Sequence, residues 1–170
     1  MIAEVIRFAL SNFTLTCLVI TIIVAVVSLT LGSRWGSKPA VIDAFFSYYL
    51  LFCIGVSFLY NFVVHVFYGQ MAATFIGWAP SPFQTEVGFA SLGFGVLGIL
   101  ARWQGLGFRA ATVLGPAFFL WGAAGVHIYA MITTHNFAPG NAGFVFWTDL
   151  LTPLLGLILI FLQSRHPARA

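Results

Sequence analysis

Five long apolar runs, separated by short connections that hold most of the charges, constrain this chain more than any other feature. A helix rises about 1.5 Å per residue, so roughly 20 apolar residues cross a hydrocarbon core about 30 Å thick. No water is present there, so a crossing segment must satisfy its backbone hydrogen bonds internally, as a helix does. The runs predict five membrane-spanning helices, at residues 13–32, 44–68, 83–101, 110–132 and 144–162.

The composition supports an all-α integral membrane protein with a single transmembrane domain over residues 1–170. Hydrophobic residues make up 61% of the chain and charged residues only 6%, whereas a soluble domain is about half apolar and about a quarter charged. The Lys and Arg residues are scattered in connections, so we expect no nucleic-acid partner. Cys17 and Cys53 lie in apolar runs without a CxxC motif, which favours simple core packing.

The placement of the cations predicts the orientation. Five crossings leave Arg7 alone on the N-terminal side, and cytoplasmic connections are normally enriched in Lys and Arg. We therefore expect the N-terminus outside and the C-terminus in the cytoplasm. The cations on the predicted cytoplasmic side are Arg34, Lys38, Arg102, Arg109, Arg165 and Arg169.

An internal repeat relates the second and third spans to the fourth and fifth. His65 ends the second span and Glu86 opens the third, while His127 ends the fourth and Asp149 opens the fifth. Histidine and carboxylate are rare inside membranes, so their recurrence at corresponding places carries weight. The pattern predicts two repeated hairpins in a bundle, related by an axis along the membrane normal.

The predicted depths place these four ionisable side chains in one layer of the outer half of the membrane, which makes them the candidate site. The simplest interpretation is that each histidine hydrogen-bonds the acid of its own hairpin, an interaction worth about 1 kcal/mol between membrane helices. Asp43, the remaining acid in a span, lies at the inner end of the second span. There it is favoured by the helix macrodipole.

Three functional interpretations compete for the same residues. Two imidazoles and two carboxylates suit zinc or a pair of iron or manganese ions, although the Glu-x-x-His motif of di-iron bundles is absent. Haem b could be held by His65 and His127 as axial ligands. A third possibility is proton exchange between the site and a bound quinone, lipid or ion.

Other polar residues are candidates for supporting roles around the histidines. Asn61 and Tyr68 share a helix face with His65 by their spacing and are candidates to orient it. His135 lies in the outer connection 133–143, where a solvated histidine or a further ligand would both fit.

The outer connection 69–82 is too apolar to be a free solvent loop. It carries Trp78 at a position that suits the headgroup region, and prolines on both sides of Ser81. An interfacial loop and a lid over the site both match this pattern.

A row of small residues marks one face of the third span. Its spacing predicts a seam of close helix packing, and a Gly-x-Gly-x-x-Gly match inside a span does not indicate a phosphate loop. The row consists of Gly88, Ser91, Gly95 and Gly98.

The segment 77–88, GWAPSPFQTEVG, resembles a motif of uncharacterised families of small bacterial membrane proteins. The resemblance covers the second to fifth spans. It implies a bacterial inner-membrane setting and carries over no catalytic residues.

No motif in the chain specifies a reaction. The sequence predicts an inner-membrane protein whose His/carboxylate site, in the periplasmic half, binds a metal ion or haem for redox or hydrolytic chemistry. The alternative is a non-catalytic accessory subunit of a larger membrane complex. Its partners would be other membrane subunits or further copies of the same chain. In that case the histidine–acid pairs serve only as interhelical hydrogen bonds.

The orientation can be tested with reporter fusions. A reporter active only in the cytoplasm is expected to work when fused after Ala170 and to fail when inserted at Gly140, because these positions lie on opposite sides of the membrane. Reporter activity in cells is the measurement. The opposite pattern would place the four ionisable groups in the cytoplasmic half.

Overall fold

The computed structural model describes residues 1–167, and every element in that range is helical. Arg169 and Ala170, used above for orientation and as a fusion point, lie outside the described residues. The helices are α1 (Ile2–Ser11), α2 (Phe13–Leu31), α3 (Lys38–Tyr49), a π-helical segment (Leu50–Val56), α4 (Ser57–Phe67), α5 (Gly69–Ile76), α6 (Phe83–Ala101), α7 (Leu106–Thr134), α8 (Pro139–Ala142) and α9 (Phe144–Arg165).

Five helical stretches within residues 1–167 are long and apolar enough to cross a membrane, which confirms the predicted number. Three of them are longer than predicted, because hydropathy locates the apolar stretch whereas capping decides where a helix begins. The second stretch begins at Lys38, where the Ser37 hydroxyl accepts a hydrogen bond from the Ala40 amide at 3.4 Å. The stretches are Phe13–Leu31, Lys38–Phe67, Phe83–Ala101, Leu106–Thr134 and Pro139–Arg165.

Helix α1 precedes the first span and was not anticipated from the sequence. Glu4 and Arg7 recur on one face while most of its other side chains are apolar and exposed, a pattern typical of helices in the membrane interface. Phe8 packs edge-on against Phe144 of α9 at 5.7 Å, and the Tyr60 hydroxyl donates to the α1 carbonyl of Leu10 at 3.0 Å. These contacts attach α1 to the end of the bundle that carries the connections 69–82 and 133–143. This end is called outer below, and the opposite end inner, after the predicted orientation.

The small residues of α6 form the predicted packing seam against the second span. A Cβ atom on Gly98 would lie 2.8 Å from the Gly55 Cα in the π-helical segment, and one on Gly95 would lie 2.8 Å from Leu59. Lipid tails are as apolar as leucine, so helices in membranes associate largely through such close packing. The seam fixes α6 along the outer half of the second span.

The apolar core lies beside this seam, around the π-helical segment. Tyr49, Leu50 and Ile54 are almost fully buried, and the Tyr49 hydroxyl donates to the Thr152 carbonyl of α9 at 2.9 Å. Cys53 also lies in this core as a free thiol, 3.5 Å from the Thr21 hydroxyl of α2. The second span is therefore the central helix of the bundle.

At the inner end, Arg109 is buried and links three spans. Its side chain is 6% exposed and its guanidinium donates to the Asp43 carboxylate at 2.7 Å. The sequence analysis interpreted Asp43 as a charge favoured by the helix dipole. It did not predict Arg109 as the partner of Asp43, because the two residues are 66 positions apart along the chain. The other acceptors are Ser47 Oγ, Gln163 Oε1 and the carbonyls of Ala101 and Arg102.

The packing seam can be tested within one helix. Gly98→Ala should lower the melting temperature in detergent, because α6 must move away from Gly55 and overpacking costs about 1–3 kcal/mol. Gly93→Ala is the matched control, since a Cβ there meets no atom within 4 Å. Equal melting temperatures for the two variants would contradict a close-packed seam at Gly98.

The inner network predicts that replacing Arg109 destabilises the protein far more than replacing Arg165. Arg109→Met should destabilise the protein by about 3 kcal/mol or more, because it strands buried acceptors and removes the partner of Asp43. Arg165→Met should change stability little, since Arg165 lies exposed over the Phe161 ring. The measurement is a detergent melting curve, and comparable losses in both variants would contradict the role of Arg109.

Candidate functional site

A cavity of about 770 Å³ lies between the outer parts of the spans. Its walls come from the start of α2, from the π-helical segment and α4, from α5 and the loop after it, and from α6, α7 and α9. Most of the lining side chains are apolar, and none is Lys or Arg. The volume falls within the range of about 300–1,000 Å³ that is usual for small-molecule sites.

His65 lies on the last turn of α4 and contacts the start of α6. Its Nδ1 atom is hydrogen-bonded to the side-chain oxygen of Gln84, a buried residue. An amide oxygen only accepts hydrogen bonds, so His65 Nδ1 carries the proton and Nε2 is left as an acceptor. Both residues line the cavity.

Glu86, the predicted carboxylate partner of His65, does not join the site. It is exposed and does not line the cavity. Residues two apart on a helix point about 200° apart, so a helix that presents Gln84 inward must present Glu86 outward. The uncharged Gln84 therefore takes the place that the sequence analysis gave to a carboxylate.

His127 lies on α7, and its partner comes from the outer connection. Its Nδ1 atom is 2.7 Å from the side-chain oxygen of Asn141, a fully buried residue of α8. The Asn141 amide group donates to the carbonyls of His127 and Asn136 at 3.2 and 2.8 Å. The sequence analysis missed Asn141 because it lies in a connection, where no periodicity indicates burial.

Asp149, on α9, is a buried carboxyl group with free hydrogen-bonding capacity. It is 7% exposed, and one oxygen lies 3.7 Å from His127 Nε2, too far for a hydrogen bond. Neither Asp149 oxygen accepts a hydrogen bond from any donor among residues 1–167. Every fully enclosed side-chain oxygen in that range has a partner, so the Asp149 oxygens are not fully enclosed. The free capacity of Asp149 is therefore directed into the cavity that it lines.

The loop after α5 covers part of the cavity. The Trp78 indole stacks on the His127 imidazole with ring centroids 5.4 Å apart and an interplanar angle of 29°. Trp78 and Ser81 both line the cavity, as a covering segment would. Whether this segment moves as a lid stays a prediction.

The two outer connections are tied to each other. The Asn136 side chain donates to the carbonyls of Ile76 and Gly77 at 2.9 and 3.2 Å. Gly77 has a φ of +80°, which favours glycine, and it ends α5 at this contact. Gly140 packs directly against Phe75, where a side chain would clash. Together the two outer connections, 69–82 and 133–143, form one cap.

The remaining predicted residues divide into two groups. Asn61 lines the cavity, but it donates to the Ser91 hydroxyl at 2.9 Å and not to His65. Tyr68 is 56% exposed, and His135 is exposed in a left-handed conformation at the end of α7. Neither Tyr68 nor His135 lines the cavity.

A second, smaller cleft of about 320 Å³ adjoins the cavity beside α5 and the start of α6. It shares His65, Ser81 and Gln84 with the cavity, and its other lining residues include the exposed Gln70 and Thr85. The His65–Gln84 pair therefore separates the cavity from a polar surface cleft.

The donor set does not suit a metal held by the protein alone. Within residues 1–167, no three or more His, Cys, Asp or Glu side chains are arranged to hold a metal ion. With Glu86 outside, the cavity brings together His65, His127 and one carboxyl group, Asp149. These groups can exchange protons and hydrogen-bond a polar ligand.

Comparison with known proteins places the chain in a family but attaches no activity to it. No curated protein and no solved structure matches the chain. One family model matches residues 11–169, described as a family of unknown function, and the match begins at the last residue of α1. The resemblance to an uncharacterised family is confirmed: the chain belongs to the family of unknown function DUF6790.

Proposed function

We propose that the protein binds a small amphiphile of the isoprenoid quinone type, with the polar ring at the outer end of the cavity and the tail along its apolar walls. The observation that carries this is the composition of the cavity. An extended apolar lining meets two imidazoles and one free carboxyl group, with no Lys or Arg. Small-molecule sites usually combine a largely apolar wall with a few placed polar groups.

The absence of cations from the lining argues for an uncharged head. A phosphate or carboxylate head is normally held by Arg or Lys, whose charge offsets its own. The cavity lining supplies no cation to offset the charge of such a head. A phospholipid headgroup is therefore a poor occupant, whereas a quinone or quinol carries no formal charge.

The free acceptors match the two oxygens of a quinol ring. His65 Nε2 belongs to α4, while Asp149 and His127 belong to α9 and α7, so the acceptors come from different hairpins. Trp78, held against His127, adds a flat aromatic surface to the same part of the cavity. A ring bound here would donate one hydroxyl to each group of acceptors.

The adjoining cleft offers a path for protons. Imidazole accepts and donates protons near neutral pH, and His65 lines both the cavity and the cleft. We place this end of the cavity in the periplasmic half of an inner membrane, on the strength of the cation distribution. His65 would then link the bound ring to the periplasm, so that protons can pass when a separate electron-transfer partner oxidises or reduces the ring.

Haem b is the second candidate, and a specific observation favours it. Both histidines bond an amide oxygen through Nδ1, which leaves Nε2 available, and metal-ligating histidines usually show this arrangement. His65 and His127 would be the residues that hold the haem, which would supply electron-transfer chemistry.

Binding of a short-chain ubiquinone analogue to purified protein tests the proposal. Asp149→Leu and His127→Ala should each weaken binding about tenfold, because a buried hydrogen bond to the ring is lost. Glu86→Gln and His135→Ala are the matched controls, since both residues are exposed and lie outside the cavity. Titration calorimetry gives the affinity, and a melting curve shows that each variant is folded.

A double variant distinguishes one site shared by both histidines from two independent contacts, each within its own hairpin. His65→Ala combined with His127→Ala should bind hardly less than either single variant, because ligand contacts that act as a unit are not additive. Additive loss of stability without ligand binding by the wild type would favour the accessory-subunit interpretation. A stoichiometric Soret band in the purified protein would favour haem over quinone.

A further inference from the structure

The inner end of the bundle carries a second group of cations, separate from the Arg109 network. Arg102, just after α6, places its guanidinium 4.5 Å from the centre of the Tyr48 ring on α3. Arg34, in the connection after α2, donates to the Ser28 hydroxyl at 2.8 Å. The Tyr48 hydroxyl lies beside Ser28, so both arginines meet at the contact between these two side chains. Three elements thus bring two arginines to one place.

These two arginines have no carboxylate partner among residues 1–167. The ion pairs there join the N-terminus to Glu4, Arg109 to Asp43 and His127 to Asp149. Asp43, the acid near this end, is committed to Arg109. Lys38, at the start of α3, adds a further exposed cation. The charge of this group is therefore uncompensated within the described part of the chain.

The arginines are also held in position rather than extended into solvent. The Arg102 guanidinium lies over the Tyr48 ring and over the Trp103 ring, at 4.5 and 5.5 Å from their centres. The Arg34 side chain folds back over Gly32, where an added Cβ atom would lie 2.8 Å from its Nε. Guanidinium groups fixed in this way lose less entropy when they bind a ligand, which favours recognition over non-specific attraction.

The surroundings of this group resemble a membrane interface. Trp35 and Trp103 are exposed at the same end, and tryptophan is enriched where headgroups meet the hydrocarbon. The side of α2 above them presents Ile23, Val27 and Leu31, which are all exposed and recur every four residues. An apolar stripe therefore leads away from the cations along the first span.

We propose that Arg34 and Arg102 bind the phosphate of an anionic phospholipid, whose acyl chains lie along the exposed stripe of α2. The group supplies the cations that phosphate recognition requires and that the outer cavity lacks. The proposal does not depend on the ligand of that cavity.

Melting of the full-length protein in detergent tests this with defined lipids. Added phosphatidylglycerol should raise the melting temperature more than phosphatidylcholine does, and inorganic phosphate should not reproduce the effect. The double variant Arg34→Gln/Arg102→Gln should need about ten times more phosphatidylglycerol or more for the same rise, because two charge-assisted contacts are lost. Arg165→Gln is the matched control, since it removes an exposed cation from the C-terminal end of α9.

Any of three outcomes would overturn the proposal. An equal response to phosphatidylglycerol in the double variant and in Arg165→Gln would show attraction to overall charge alone. An equal response to inorganic phosphate would show that no lipid is required. If the glutamine variant does not fold, Arg34→Lys/Arg102→Lys keeps the charge but loses the guanidinium fork. It should bind phosphatidylglycerol more weakly than wild type, and unchanged binding would also overturn the proposal.

Discussion

The buried guanidinium of Arg109 is the interaction on which the arrangement of the spans depends. It bonds to α3 and α9 and to the last carbonyls of α6, so the inner ends of these helices meet at one side chain. A buried charge without partners is costly, and the hydrocarbon offers no water to replace them. Because the inner ends are held together, the helices have room to separate at their outer ends, where the cavity lies.

The cavity holds its histidines with amides rather than with acids. Gln84 and Asn141 are uncharged, so each orients an imidazole through Nδ1 without forming an ion pair with it. Asp149 thereby stays free of hydrogen bonds and is available to a ligand. The cap formed by the two outer connections encloses this layer and keeps Trp78 against His127. The result is a polar end on an otherwise apolar cavity.

The sequence predicts where the spans lie along the chain, but not which way a side chain faces around its helix. Apolar runs locate the spans, and rarity inside a membrane singled out His65, His127 and Asp149. Whether Gln84 or Glu86 faces His65 depends on the rotation of α6 about its axis, and hydropathy carries little information about that rotation. Long-range partners such as Asp43 and Arg109, and a buried loop residue such as Asn141, leave no local pattern. The two histidines bond amides from different kinds of element, a helix start and a short connecting helix, so the internal repeat stays a prediction.

The π-helical segment has a consequence for how the family could vary in length. A π-helical turn accommodates one residue more than an α-helical turn, as a single-codon insertion would produce. Deleting one residue from 50–56 would restore regular α-helical bonding and rotate the rest of the second span by about 100°. His65 would then turn away from Gln84, and Asn61 would leave the wall of the cavity. In this chain, the length of this segment therefore determines whether His65 belongs to the histidine layer.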